Sequence, residues 1–145
     1  MLGSPVCVDA SIVIRLVQSS RPDSPVVALW RKWRRAGRPI VAPTLLHYEV
    51  CNSFHRYIVH GEMNSQEASK ALDLALRLRL ILFGNAELHR RALTWAGRLR
   101  LPATYDAHYL ALAELFGAEL WTDDRRLAQA ATGTVTWVHE LAEVC

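Results

Sequence analysis

Short apolar runs alternate with amphipathic stretches along the whole chain. The first run, Pro5-Val6-Cys7-Val8, stops at Asp9 and predicts a buried strand. A helix is expected over 10–19, with Ser11 near its start. Asp23-Ser24-Pro25 predicts a helix start, with Ser24 as N-cap and Pro25 in the first helical position. That helix carries Trp30 and Trp33 and stops near Gly37. Pro39-Ile40-Val41-Ala42 predicts a second strand, and Pro43-Thr44 opens a long helix that ends at about His60, with Gly61 as its stop. Asn64-Ser65-Gln66-Glu67 has the form of a capping box and opens a helix through Leu72 and Leu76. Residues 80–83 predict a short strand, and Asn85 opens a helix that reaches Arg100. Thr104 caps the next helix, whose expected apolar stripe is Tyr105, Tyr109, Leu112, Ala113 and Phe116, ending at Gly117. A strand over 119–122, a short helix over 125–131 and a last strand over 135–138 complete the chain. Alternation of this kind predicts one α/β domain over 1–145: a three-layer α/β/α sandwich whose short parallel strands are covered on both faces.

Composition narrows the class. The 145 residues are 51% hydrophobic and 21% charged, which excludes a disordered chain. A chain of this length buries roughly two thirds of its unfolded surface and folds without disulfides. The uncharged apolar runs fall far short of the ~20 residues of a membrane span, and the N-terminus lacks the layout of a signal peptide. A soluble, cytoplasmic protein with no membrane association is expected. Cys7, Cys51 and Cys145 are odd in number and widely spaced, so they make neither a disulfide framework nor a zinc pattern. Cys7 and Cys51 are expected to be buried. His47, Cys51 and His55 recur at i, i+4 and i+8, which helix packing accounts for better than a metal does.

The net charge is +3, and the basic residues are 15 Arg and 2 Lys. Arginine's planar fork of donors matches phosphate. Setting aside five acids (Asp9, Glu49, Asp106, Asp123 and Asp124) leaves 17 basic against 9 acidic residues. A basic body around an acidic pit fits an enzyme that holds cations and acts on a polyanion.

Those five acids have special positions. Asp9 follows the first strand, and Asp123 and Asp124 follow the strand over 119–122. In a parallel sheet these acids share the carboxyl edge, where open α/β sheets place ligands at a switch in strand order. Asp106 stands in the first turn of its helix, where the helix dipole favours negative charge. Glu49 lies inside a helix, beside the stripe Leu46, Val50 and Tyr57, with Asn52 expected on its side. A partner such as Arg56, or solvent, would suffice to explain Glu49. Converging carboxylates raise one another's pKa unless a cation compensates. An all-oxygen donor set favours Mg²⁺ or Mn²⁺ over zinc, and such a metal activates water and stabilises a leaving oxygen on phosphorus.

The acids fall in the contexts VDASIVI, LLHYEVCNS, YDAHYLALAE and LWTDDRRL, in that order. Over essentially the whole chain this set resembles the PIN-domain ribonucleases, and among them the VapC-like toxins of bacterial and archaeal toxin–antitoxin pairs. The resemblance implies a PIN-like α/β/α fold and a Mg²⁺- or Mn²⁺-dependent endoribonuclease. Carried over by position, it makes Asp9, Glu49, Asp106 and Asp124 the metal-binding, catalytic quartet. It makes Ser11, Asn52 and Thr122 their polar supports. Asp123 offers a competing register for the fourth acid. Arg15, Arg125 and Arg126 become candidates for RNA phosphates. The resemblance further implies a VapB-like antitoxin, received near Trp30 and Trp33, and a homodimer.

Two other readings compete with the toxin. An RNA-processing nuclease without an antitoxin keeps the fold and the chemistry. A non-catalytic receiver-like interaction domain also gathers acids at a sheet edge, but it needs an acidic pair after the first strand, whereas the pair here comes late. The absence of G-x-S-x-G disfavours a serine hydrolase, and the absence of a glycine-rich G-K-[ST] loop disfavours a P-loop enzyme.

Overall fold

The computed structural model describes residues 3–144. Among them, five strands form one parallel sheet in the order β3-β2-β1-β4-β5. These are β1 (Val6–Val8), β2 (Ile40–Pro43), β3 (Ile81–Phe83), β4 (Glu119–Thr122) and β5 (Val138–Glu140). Helices α1 (Ala10–Gln18) and α2 (Pro25–Arg35) join β1 to β2, and α3 (Leu45–Val59) and α4 (Ser65–Leu76) join β2 to β3. Helices α5 (Ala86–Arg98) and α6 (Tyr105–Phe116) join β3 to β4, and α7 (Arg125–Ala131) joins β4 to β5. A 3-10 turn over Leu141–Val144 follows β5.

The central strands are apolar along their length because helices cover both of their faces. Every residue of β1 and β2 is buried. The sheet grows outward from β1 through β2 to β3, then jumps back to place β4 on the other side of β1. Right-handed crossovers then put α1 to α4 against one face and α5 and α6 against the other. The packing agrees: α1 meets α2, α3 and α4, whereas α6 lies across β1, β2 and β4 with α5 beside it. The strand order therefore switches between β1 and β4. This is the α/β/α architecture that the alternating pattern predicts.

The local signals hold well. The Asn64 and Glu67 capping box forms in both directions. Gly117 ends α6 with a φ of 60°, a conformation that side chains with a Cβ disfavour.

Three expectations are corrected, and the tryptophans of α2 are placed. The last strand begins at Val138, not 135, because the amides of Thr134 and Val135 bond to the Ala131 carbonyl and keep that segment in the turn after α7. The proposed stripe of α6 fails at its ends: Tyr105 and Phe116 are exposed, while Ala107 and Tyr109 through Ala113 are buried. A helix laid across the sheet and flanked by a second helix buries most of its circumference, so no single stripe describes it. Cys51 is exposed rather than buried, as is His55. Trp30 and Trp33, expected near an antitoxin contact, are both buried, and Trp33 packs against Trp121 with ring centroids 5.8 Å apart. Their basic neighbours Arg31, Lys32, Arg34 and Arg35 are exposed. Cys145 lies outside the described residues.

Candidate active site

The switch between β1 and β4 puts Asp9 beside the turn that carries Asp123 and Asp124. Asp9 is only 5% exposed, and both of its carboxylate oxygens are engaged. Ser11 Oγ donates to Oδ1 at 2.5 Å, and Thr122 Oγ1 donates to Oδ2 at 2.5 Å. Each hydroxyl in turn accepts a backbone N–H: Asp123 N donates to Ser11 Oγ at 2.7 Å, and Asp124 N donates to Thr122 Oγ1 at 2.9 Å. A hydroxyl that already accepts an N–H turns its own proton elsewhere, and here both hydroxyls turn it to Asp9. Two parallel relays, from amide to hydroxyl to carboxylate, thus staple the end of β4 to the end of β1. Asp9 Oδ1 also accepts from Ile12 N at 3.3 Å, so the same carboxylate caps α1.

Glu49 enters from α3. Among the described residues it pairs with no arginine: Tyr109 on α6 donates its hydroxyl to Glu49 Oε1 at 2.5 Å. Tyr109 is buried, and burial together with the Glu49 charge pushes its phenol far above the usual range. Asp106 stands three residues before Tyr109, so one face of α6 presents both an acid and the group that fixes Glu49. Sequence reasoning missed Tyr109 by counting it as apolar stripe. The available signal was the Asp-x-x-Tyr spacing.

The electrostatics show that the acids act on one another. Burial lifts the Asp9 carboxyl to about 7, against the downward pull of the Ser11, Thr122 and Ile12 hydrogen bonds, and the charge of Asp106 adds to the rise. Burial also raises Glu49, with Asp106 adding to it, and raises Asp106, with Asp124 adding to it. Asp9, Glu49, Asp106, Asp123 and Asp124 line one cavity of about 470 Å³. The two candidates for the fourth acid separate here. The Asp123 carboxylate faces Arg15 at 3.7 Å, whereas Asp124 is the one whose charge acts on Asp106. Asp124 Oδ1 also accepts from Arg126 N at 2.9 Å and caps α7.

Three expected residues fall elsewhere. Asn52 is exposed and borders a shallow depression with His47, Tyr48, Cys51 and His55, apart from the acids. An i+4 step on a helix returns within about 40° of the starting residue, while i+3 lands about 60° away on the other side. Ser53, the i+4 neighbour of Glu49, takes the cavity position instead. Arg125 and Arg126 are exposed and do not line the cavity, because Asp124 caps α7 and sets them in its solvent-facing first turn. Arg15 does line it, and so does Arg56.

The donor set can be tested against a divalent ion. Every acid in the cavity offers hard oxygens, and their mutual repulsion is what a cation would relieve. Among the described residues no three of His, Cys, Asp and Glu form a ready-made ion cage. The oxygen-only character of the cavity acids is the donor chemistry that Mg²⁺ and Mn²⁺ accept.

Related proteins share this arrangement of chain. Ribonuclease VapC3 of Pyrobaculum aerophilum is 34% identical over 94 residues, which cover 63% of this chain and 71% of that protein. Ribonuclease VapC1 of Mycobacterium tuberculosis is 34% identical over 90 residues, which cover 61% of this chain and 65% of that protein, just under two thirds of it. The crystal structure of PAE2754 from Pyrobaculum aerophilum superposes with a TM-score of 0.68 at 25% identity, covering 97% of this chain and 92% of that one. The PIN domain family matches residues 6–133, a span that holds all five cavity acids, and the chain belongs to that family.

Proposed function

We propose that this protein is a divalent-metal-dependent endoribonuclease that hydrolyses RNA phosphodiester bonds, and that it is the toxin of a VapBC-type pair. The observation that carries the chemistry is the single cavity lined by Asp9, Glu49, Asp106 and Asp124, where burial raises the Asp9, Glu49 and Asp106 carboxyls, the Asp106 charge adds to the first two and the Asp124 charge to the third. In this reading those four residues hold Mg²⁺ or Mn²⁺ directly or through water. Bound there, the ion supplies the charge that lowers the pKa of a water and stabilises the leaving oxygen. The Ser11 and Thr122 relays fix the direction of the Asp9 lone pairs, and Tyr109 fixes Glu49. Positioned groups of this kind lose little energy to reorganisation during the reaction. Arg15, whose Nε lies 3.7 Å from the Asp123 carboxylate, serves a flanking phosphate.

The toxin reading draws on the two relatives named ribonuclease VapC. It brings a VapB-like antitoxin as partner and a cytoplasmic location. Among the described residues no helix is long and apolar enough to cross a membrane. A homodimer is part of the same reading: Tyr48 and Val59 on α3, and Ile81 and Leu82 on the edge strand β3, are exposed apolar groups that a second copy would cover.

The test is incubation of the purified protein with total RNA, with Mg²⁺, with Mn²⁺ and with EDTA, followed by mapping of new ends. Cleavage with either metal and none in EDTA is expected. Equal cleavage in EDTA overturns the metal, and no cleavage under any condition overturns the nuclease. A small reading frame next to the gene, co-expressed with it, tests the toxin: a stable complex that no longer cuts is expected, and the lack of such a frame or complex leaves an RNA-processing nuclease.

A further inference from the structure

The cavity does not end at the carboxylates. Its lining continues between α1 and α3, through Ile14, Arg15 and Gln18 on one side and Ser53, Arg56 and Tyr57 on the other. Each set falls on one helix face, at i, i+1, i+4 and i, i+3, i+4. Arg56 stands seven residues past Glu49, about 10 Å further along α3. The cavity of about 470 Å³ far exceeds what an ion and its waters need, and sits in the range of pockets for small organic ligands.

The two ends of the cavity differ in charge. The inner end is acidic. At the outer end the Arg56 guanidinium, the Gln18 amide and the Ser53 hydroxyl have no partner among the described residues, and Arg15 reaches Asp123 only at 3.7 Å. Three unmatched polar heads thus surround space that also has two apolar walls, Ile14 and the ring of Tyr57. That ring is braced by Phe54, with centroids 6.1 Å apart. A cation, an amide with both donor and acceptor, and an aromatic face are what a single-stranded nucleotide calls for: phosphate, base edge and base face.

We propose that this outer half is a nucleotide subsite that sets where RNA is cut, with Arg56 on the phosphate next to the scissile one, Tyr57 and Ile14 against its base, and Gln18 on the base edge. The proposal rests on the nuclease reading above. Arg56 and Gln18 are exposed, so their substitution leaves the fold intact.

Binding is read first, by fluorescence anisotropy of a labelled mixed-sequence single-stranded RNA 12-mer against the full-length Asp106→Asn protein in Mg²⁺, over a salt series. Adding Arg56→Ala weakens binding about five- to tenfold and lowers the slope of log affinity against log salt by about 0.7, the value of one lost phosphate contact on a single strand. Arg56→Lys restores most of that slope. Arg90→Ala, on α5 and outside the cavity, changes neither. End mapping on the active protein is read second. Gln18→Ala flattens the base preference at one position beside the cut, whereas Arg56→Ala lowers cleavage at all sites alike. An unchanged salt slope in Arg56→Ala, or an unchanged end pattern in Gln18→Ala, overturns the subsite. If the unmodified protein cuts RNA and Asp9→Asn does not, that failure belongs to the subsite alone. If the unmodified protein does not cut, the nuclease reading falls first.

Discussion

One strand, β4, carries acids at both ends, and the two ends treat them in opposite ways. At the amino end, Glu119 is matched by a cation: Arg38 Nη2 reaches its Oε1 at 2.7 Å, and the His139 imidazole Nε2 lies 3.4 Å from its Oε2. Arg38 also donates to the Ser4 carbonyl at 2.8 Å, so the pair ties β4 to the segment before β1. At the carboxyl end, burial raises Asp106, Asp9 and Glu49, with the Asp124 charge adding to the first and the Asp106 charge adding to the other two. Fifteen arginines were available, yet the cavity gives its inner acids hydroxyls and amides and leaves their negative charge uncancelled. An acid kept for stability is neutralised. A cluster of acids without matching cations has its carboxyl pKa values pushed up instead, a cost that a bound cation would relieve.

The sharpest way to break this comparison is to exchange the roles. Asp9→Asn and Asp106→Asn should each lower RNA cleavage at least about 100-fold, the order seen when a transition-state contact is removed. Glu119→Gln should leave the rate within about twofold. Timed gel assays with circular dichroism as a fold control check both. Loss of activity in Glu119→Gln, or its survival in both aspartate variants, would undo the distinction.

The next effect is on stability without metal. The Asp9 carboxyl sits at about 7 in the folded protein against an ordinary value of 3.8, so the folded state binds its proton more tightly than the unfolded chain does. The contribution of this group to stability is therefore greatest at acid pH and falls as pH rises from about 4 to about 7, by roughly 2–4 kcal/mol. Asp9→Asn should flatten that dependence and raise the melting temperature at pH 8 in EDTA. Calorimetry across pH checks it, and a lowered melting temperature would argue against a crowded cavity.

The hydroxyl relays come third. Ser11→Ala leaves the Asp123 amide without its acceptor, and Thr122→Val does the same to Asp124. Each should cost about 1–3 kcal/mol in urea unfolding and lower the cleavage rate as well, because Asp9 loses its fixed direction. The smallest effect belongs to the amino end. Arg38→Met should cost about 1 kcal/mol or less, a difference that shrinks in high salt, with no change in cleavage.

The sequence by itself determined the elements and the approximate location of the acids. Strand β1 with its terminal Asp9, the capping box of α4 and the stop at Gly117 are local consequences of residue type and period. The adjacency of Ser11 and Thr122 to Asp9 and Asp124 was legible for the same reason, since each is two residues from its acid. What lay beyond reach were the contacts made across many positions. Tyr109 meets Glu49 across 60 positions, and Ser11 meets the Asp123 amide across 112. Such pairs depend on how α6 crosses the sheet and on which strand is placed next to β1, and no local pattern encodes either. The different surroundings of Asp123 and Asp124 follow from the turn between β4 and α7, and those of Asn52 and Ser53 from a rotation of a fraction of a helical turn. Only the packed structure decides those, because close packing of α1, α3 and α6 against the sheet permits a single orientation of each helix.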